Sequence, residues 1–254
     1  MQASDIQDYA EIREEVAKLC SKFSGEYWRE LDRKRTYPTE FVRALTEAGY
    51  LSVLIPETYG GSGLGLSAAA AILETVQSSG CNGAACHAQM YIMGTILRHG
   101  SPAQKERYLP KIATGALRLQ AFGVTEPTSG TDTTSLRTFA KKEGDHYVVN
   151  GQKVWTSRAE HSDLMLLLAR TTPPGAERKK TEGLSTFIVD MNEALGHGLT
   201  IRPIRTMMNH NSCEVFFDNM IVPAENLVGK AVRIWLNLDT RDGPLWHRIG
   251  NAIQ

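Results

Sequence analysis

Near residue 119 the apolar side chains of this 254-residue chain change their spacing, and that change limits its possible folds more than any single motif. Before it, apolar residues recur every three or four positions, the period of a helix with one buried face. Ile6, Tyr9, Ile12, Val16, Leu19 and Phe23 form one such stripe. Pro38 opens a second helix through Phe41, Val42, Leu45 and Ala48, closed by Gly49. Ser67 is placed to cap a third through Ile72, Leu73 and Val76, and a fourth is predicted from Ala84 to His99, stopped by Gly100. Ser101-Pro102-Ala103-Gln104 has the form of a capping box with proline at the first helical position. Leu54 to Gly63 is glycine-rich without the Lys-Ser or Lys-Thr of a phosphate loop, and reads as a flexible connection.

After residue 119 the period is two, the mark of strands with one buried face. Strands are predicted at 133–141, 163–170, 184–190, 199–205 and 213–218, and Asn150-Gly151 reads as a hairpin turn between Asp145–Val149 and Gln152–Thr156. Thr171 to Glu182, with two prolines and several charges, reads as an exposed loop. Many short strands separated by turns point to a barrel or sandwich, and the lack of strand–helix–strand alternation argues against a Rossmann-type fold. The predicted organisation is α+β and multidomain. An all-α domain spans residues 1–118, an antiparallel β-barrel domain 119–229, and a short residual helix lies in 230–254.

Equal numbers of basic and acidic residues, 28 each, give nothing that favours nucleic acid, where a basic face would be expected. No apolar run is long enough to span a bilayer; the longest, Leu164 to Ala169, is a buried-strand candidate. The first fifteen residues are charged and lack an apolar secretion segment, so the expected location is cytoplasmic. Cys81, Cys86 and His87 have the wrong spacing for a zinc knuckle, and the cysteines are expected to be reduced packing residues rather than metal ligands.

Two segments carry candidate chemistry. In Ala121-Phe122-Gly123-Val124-Thr125-Glu126-Pro127-Thr128-Ser129-Gly130-Thr131-Asp132, a strand-like run ends at a Thr-Glu-Pro turn, then opens into hydroxyls and a glycine. Pro127 keeps Glu126 out of the helical region, and Gly130 permits close approach of a ligand to the backbone. Such a turn suits a flat polar ring or a phosphate, although most Gly/Ser/Thr clusters are plain surface turns. In Trp155-Thr156-Ser157, strand alternation puts Trp155 and Ser157 on one face and Thr156 on the other. An indole beside a hydroxyl suits a heteroaromatic ligand; a core aromatic is the commoner fate of a strand tryptophan. His87, His99, His161 and His210 have no partner identifiable from sequence, and no Ser-His-Asp or Cys-His arrangement stands out.

Taken in order, these segments and those around them closely resemble the acyl-CoA dehydrogenase family. The resemblance rests on Val124-Thr125-Glu126-Pro127 with Gly130 and Asp132, on Tyr147 to Ser157, on Gly183 to Asp190, and on Val215 to Gly229. Leu54-Ile55-Pro56-Glu57 with Tyr59-Gly60-Gly61, and Gly100-Ser101 with Gln104-Lys105 and Tyr108-Leu109-Pro110, resemble its N-terminal helical domain. The likeness covers about residues 5 to 229.

The resemblance implies FAD as cofactor, with the flavin ring against the strand holding Phe122, Val124 and Thr125. It implies Gly130 and Thr131 near the pyrophosphate and the acyl-CoA thioester, Thr131 also serving substrate. Trp155 and Thr156 would lie at the flavin, and Ser157 would replace a hydroxyl residue that hydrogen-bonds near N5. The implied reaction is α,β-dehydrogenation of an acyl-CoA, a carboxylate taking the α proton and flavin N5 the β hydride. Electron-transferring flavoprotein is the implied electron acceptor.

The resemblance departs from the family pattern in two places. Family members continue into a second helical domain that carries the catalytic glutamate and most tetramer contacts, whereas 25 residues follow Gly229 here. Where some relatives have Leu-Asp-x-Glu-Arg, this chain has Leu238-Asp239-Thr240-Arg241-Asp242, and Asp242 is not assigned as a base. The expectation is a C-terminally truncated member with no catalytic base on this chain, few of the homo-oligomer contacts and weak FAD affinity. Alternatives are a non-catalytic interaction module of the same fold, or a related flavin oxidase or monooxygenase. Met207-Met208-Asn209-His210-Asn211-Ser212 stands where many relatives carry a glycine and an arginine, which leaves the arginine's role in doubt.

Overall fold

A computed structural model describes residues 9–173 and 182–229. They fall into two compact units: a helical unit up to residue 98 with 102–120 and 205–211, and a sheet unit of 99–101, 121–204 and 212 onward. The short residual helix expected within 230–254, and Asp242, lie outside the described residues.

Six helices build the first unit: α1 (Ala10–Cys20), α2 (Gly25–Lys34), α3 (Thr39–Glu47), α4 (Leu66–Ser78), α5 (Ala84–His99) and α6 (Pro102–Ala113). The stripe of the sequence becomes the inner face: Val16, Phe41, Leu45, Ile72, Val76 and Cys86 share one buried cluster. Burying each large apolar side chain contributes about 1.5–3 kcal/mol. The sequence reading missed α2, which has no fully buried residue and therefore no clean apolar period. Its helix follows from its ends. The Ser24 hydroxyl accepts the Tyr27 N–H, Glu26 sits in the first turn, and Arg33 and Lys34 sit in the last. Tyr27 and Trp28 pack edge-to-face, and Trp28 meets Phe41 with ring centroids 4.9 Å apart.

The glycine-rich segment after Leu54 is a hydrogen-bonded turn, not a flexible connection. Gly61 N–H donates to Pro56 C=O at 3.2 Å, Gly63 N–H to Ile55 C=O at 2.8 Å, and Leu64 N–H to Val53 C=O at 2.9 Å. A Cβ at Gly61 would sit 2.1 Å from the Ile55 carbonyl oxygen, so the glycine serves packing rather than mobility.

Eight strands occur among the described residues: β1 (Leu119–Gly123), β2 (Phe139–Glu143), β3 (His146–Ser157), β4 (Leu164–Arg170), β5 (Leu184–Asp190), β6 (Leu199–Pro203), β7 (Ser212–Pro223) and β8 (Leu227–Val228). A single-turn α7 (Met191–Ala194) follows β5. The pairing order is β6-β7-β3-β2-β4-β5-β8, with β1 beside β4. A closed barrel needs its end strands to pair. Here β6 pairs with β7, β8 pairs with β5, and the path has two ends among the described residues. The expected barrel is therefore an open sheet. It is mixed, because β2 and β4 run parallel at Phe139 and Arg170 while the other registered pairs are antiparallel. Strand alternation reports which face of a strand is buried, not whether the edges meet.

The Asn150-Gly151 hairpin is also corrected. β3 runs unbroken through both residues and pairs with β7 along its length. The real hairpin joins β2 to β3 at Gly144-Asp145. A Cβ at Gly151 would lie 2.7 Å from Thr138 Cα, so this glycine admits a neighbouring backbone within a register shift. Asn150 and Asn219 then bond reciprocally across the shift, Asn219 N–H to Asn150 Oδ1 at 2.8 Å and Asn150 Nδ2 to Asn219 Oδ1 at 3.2 Å. The core of this unit gathers Ala140, Tyr147, Val149, Leu167, Phe187, Val215 and Val222, with Tyr147 edge-on to Phe187.

Candidate functional site

The end of β1 and the second half of β3 meet through backbone. Val154 N–H donates to Thr125 C=O at 2.9 Å, joining the two segments singled out in the sequence. Phe122, Val124, Thr125 and Ser157 are half-buried, while Gly130 and Thr131 are exposed on the following turn. Val124 packs against the Leu136, Leu168 and Leu184 cluster. A Cβ on Gly130 would meet no atom of this chain within 4 Å.

Trp155 is the least conventional residue here. Its φ is +59°, in the left-handed region that bulky residues avoid, and it is 58 % exposed. The cause is a bulge: Lys153 faces Val215 and Thr156 faces Cys213, so three steps on β3 match two on β7. The bulge ejects the indole, and the core-aromatic reading of Trp155 is wrong. Thr156, behind it, is 1 % exposed, and its hydroxyl has no hydrogen-bond partner among the described residues.

Beneath this surface lies a buried ion pair that sequence reasoning missed. Lys153 is 0 % and Glu126 5 % exposed, with Nζ to Oε1 at 2.9 Å. The Lys153 ammonium also donates to Val124 C=O at 3.0 Å. The Glu126 carboxylate accepts the Arg137 N–H at 2.6 Å and the Thr138 N–H at 2.9 Å. Burial alone would raise the Glu126 pKa, but the Lys153 charge and these donors outweigh it and hold the carboxyl below its ordinary range. Burial pushes Lys153 down to about 8, with the carboxylate opposing the shift. The sequence did hold a signal: Lys153 shares strand parity with Tyr147 and Val149, and an inward charge requires a counter-charge.

The turn between the two segments is equally fixed. Glu126 and Ser129 exchange backbone hydrogen bonds at 2.9 and 3.1 Å across Pro127. Asp132 accepts the Thr134 N–H and the Ser135 hydroxyl. Arg170 donates to Thr134 C=O at 2.7 Å and to Glu182 C=O at 3.2 Å.

Other sequence candidates lie elsewhere. The four cysteines are buried and none forms a disulfide. The Met207–Asn211 segment, which departs from the resembled family's glycine and arginine, is tied to the C-terminal end of α2. Asn209 N–H donates to Asp32 Oδ1 at 3.0 Å, and its Nδ2 to Leu31 C=O at 3.1 Å and Thr36 C=O at 2.8 Å. Met207 and Met208 are left exposed.

The acyl-CoA dehydrogenase N-terminal domain model matches residues 7–116, and the acyl-CoA dehydrogenase middle domain model matches residues 121–220. This chain belongs to the acyl-CoA dehydrogenase family. It is 33% identical over 227 residues to glutaryl-CoA dehydrogenase of Desulfococcus multivorans, a match covering 87% of this chain and 56% of that protein. It is 32% identical over 249 residues to the short-chain-specific acyl-CoA dehydrogenase of Clostridium acetobutylicum, covering 96% of this chain and 63% of that one. The crystal structure of an acyl-CoA dehydrogenase from Geobacillus kaustophilus matches with a TM-score of 0.82 at 26% identity, covering 91% of this chain and 60% of that one. The chain thus spans somewhat over half the length of these curated relatives. Among the described residues of this family member, no helix is long and apolar enough to cross a membrane.

Proposed function

We propose that this chain carries the flavin-facing part of an FAD-dependent acyl-CoA dehydrogenase. The observation that carries the proposal is the exposed Trp155 bulge hydrogen-bonded, through Val154, to the Thr125 strand end. An exposed indole, half-buried hydroxyls on Thr125 and Ser157, and an uncrowded Gly130 turn form a donor set that fits a flat heteroaromatic ring with a phosphate tail. Phe122, Val124, Thr125, Trp155 and Ser157 would hold the ring, with Thr156 buried behind them rather than facing it, and Gly130 and Thr131 would hold the phosphate and thioester side. When bound, FAD would supply the hydride acceptor for α,β-dehydrogenation of an acyl-CoA.

The chain's own contribution is to orient. Ser157 offers a hydroxyl donor, Trp155 offers an aromatic face, and the Glu126 turn holds Thr131 in place. We assign no proton-abstracting base among the described residues. Acyl-CoA substrate, electron-transferring flavoprotein as electron acceptor and a cytoplasmic location are parts of the same proposal.

Purified chain mixed with FAD and an acyl-CoA panel, followed by dye reduction, tests this. Saturable FAD uptake whose spectrum the acyl-CoA perturbs supports the proposal, dye reduction would in addition show that the chain carries a base, and failure to take up any FAD contradicts the proposal. A second reading, oxidase chemistry, is favoured by one structural neighbour, a prolyl acyl carrier protein oxidase, at TM-score 0.79 and 27% identity. Substrate-dependent oxygen consumption without dye distinguishes it.

A further inference from the structure

The buried Glu126–Lys153 pair touches both segments of the flavin-facing surface, and the two residues flank its central hydrogen bond. Glu126 follows Thr125, Lys153 precedes Val154, and the Val154 N–H donates to the Thr125 carbonyl between them. Lys153 Nζ adds a second clasp to the Val124 carbonyl at 3.0 Å. On its other side the Glu126 carboxylate anchors the Arg137 and Thr138 amides, which end the turn bearing Gly130 and Thr131.

We propose that Glu126 and Lys153 are positioning residues: their ion pair sets the separation of the Thr125 strand end from the Trp155 bulge and the placement of the Gly130–Thr131 turn. The relevance to FAD rests on the proposed function; the positioning itself does not.

Three observations support a dedicated role. First, the pair lies wholly inside the sheet unit, where apolar side chains of similar volume would serve stability as well or better. Second, the ammonium contacts strand-end backbone rather than another side chain beyond its carboxylate partner. Third, the bulge that holds Trp155 begins directly after Lys153, and left-handed backbone at a bulky residue persists only where its surroundings over-determine it.

The test compares the full chain with Lys153→Met, Glu126→Gln and Val222→Ala. Val222 is buried opposite Tyr147, at the far end of β3, so its truncation loosens the same unit away from the bulge. All measurements are made well below each variant's melting temperature. Amide hydrogen exchange at Val154, Arg137 and Thr138 is read first, with no cofactor added. In Lys153→Met and Glu126→Gln these amides are expected to exchange tenfold or more faster, while those of β4 and β5 keep their protection. In Val222→Ala they are expected to keep theirs.

FAD titration is read second. The two pair variants are expected to weaken FAD binding tenfold or more and to change the visible circular dichroism of the flavin; Val222→Ala is expected to do neither. Unchanged exchange at the three amides in both pair variants, or the same acceleration in Val222→Ala, overturns the positioning role. If wild-type chain takes up no FAD, the flavin reading fails, and the exchange data alone decide the positioning role.

Discussion

Trp155 combines two unfavourable features, a left-handed backbone and a solvent-exposed indole, whereas the strand aromatics Tyr147, Phe187 and Phe217 are buried and Phe122, Phe139 and Phe216 half-buried. Left-handed backbone costs a non-glycine residue about 1–2 kcal/mol. Trp155→Gly removes that cost but also the covered part of the indole and adds backbone entropy to the unfolded chain, so these opposing effects are expected to leave denaturant stability within about 1 kcal/mol of wild type. The same change is expected to weaken FAD binding. Glu126 gives a second prediction. Its folded pKa is below its unfolded value, so its contribution to stability is fully present above the ordinary carboxylate pKa. That contribution falls as pH drops through the lowered folded pKa, where protonation leaves Lys153 charged and unpaired. Melting temperature measured from neutral pH into the acid range should therefore fall more steeply for wild type than for Glu126→Gln. At neutral pH, Glu126→Gln should cost about 3–5 kcal/mol, as removing one member of a buried pair does.

The helices and strands show where sequence patterns carry information and where they do not. Helices α1, α3, α4, α5 and α6 were legible because a buried stripe leaves a period in the sequence. Helix α2 was not, because its stability is held by a cap, end charges and half-buried aromatics. Ser24→Ala should accordingly lower stability by about 1 kcal/mol, read by urea denaturation. The turn after Leu54 was misread as flexible because glycine marks close packing as well as mobility. Gly61→Ala forces a Cβ against the Ile55 carbonyl and should cost at least about 1–3 kcal/mol in the same assay. The Asn150-Gly151 pair was misread for a related reason: its glycine meets Thr138 across the sheet instead of turning the chain. The two candidate segments stood out as motifs, and the Val154–Thr125 hydrogen bond joins them. The bulge that ejects Trp155 and the ion pair beneath it did not stand out, since both depend on which strands become neighbours.

Across the whole chain, a helical unit and a sheet unit each have their own buried core. The change of period near residue 119 marked these two kinds of structure, though it did not distinguish an open sheet from a barrel. The motifs of the proposed flavin surface lie on the sheet unit, where residues 124 to 138 are held by Lys153, Glu126, Asp132 and Arg170. Bonds this dense within the chain itself hold the shape of that surface, which reduces the ordering cost of binding. The most direct measurement is titration of FAD, followed by flavin fluorescence, into wild-type chain, Trp155→Ala and Trp28→Phe, the last altering a tryptophan of the helical unit. Saturable quenching by wild type and Trp28→Phe, sharply reduced in Trp155→Ala, is the predicted result. No saturable quenching by wild type, or equal quenching by Trp155→Ala, would contradict the assignment of the Thr125–Trp155 surface to the flavin.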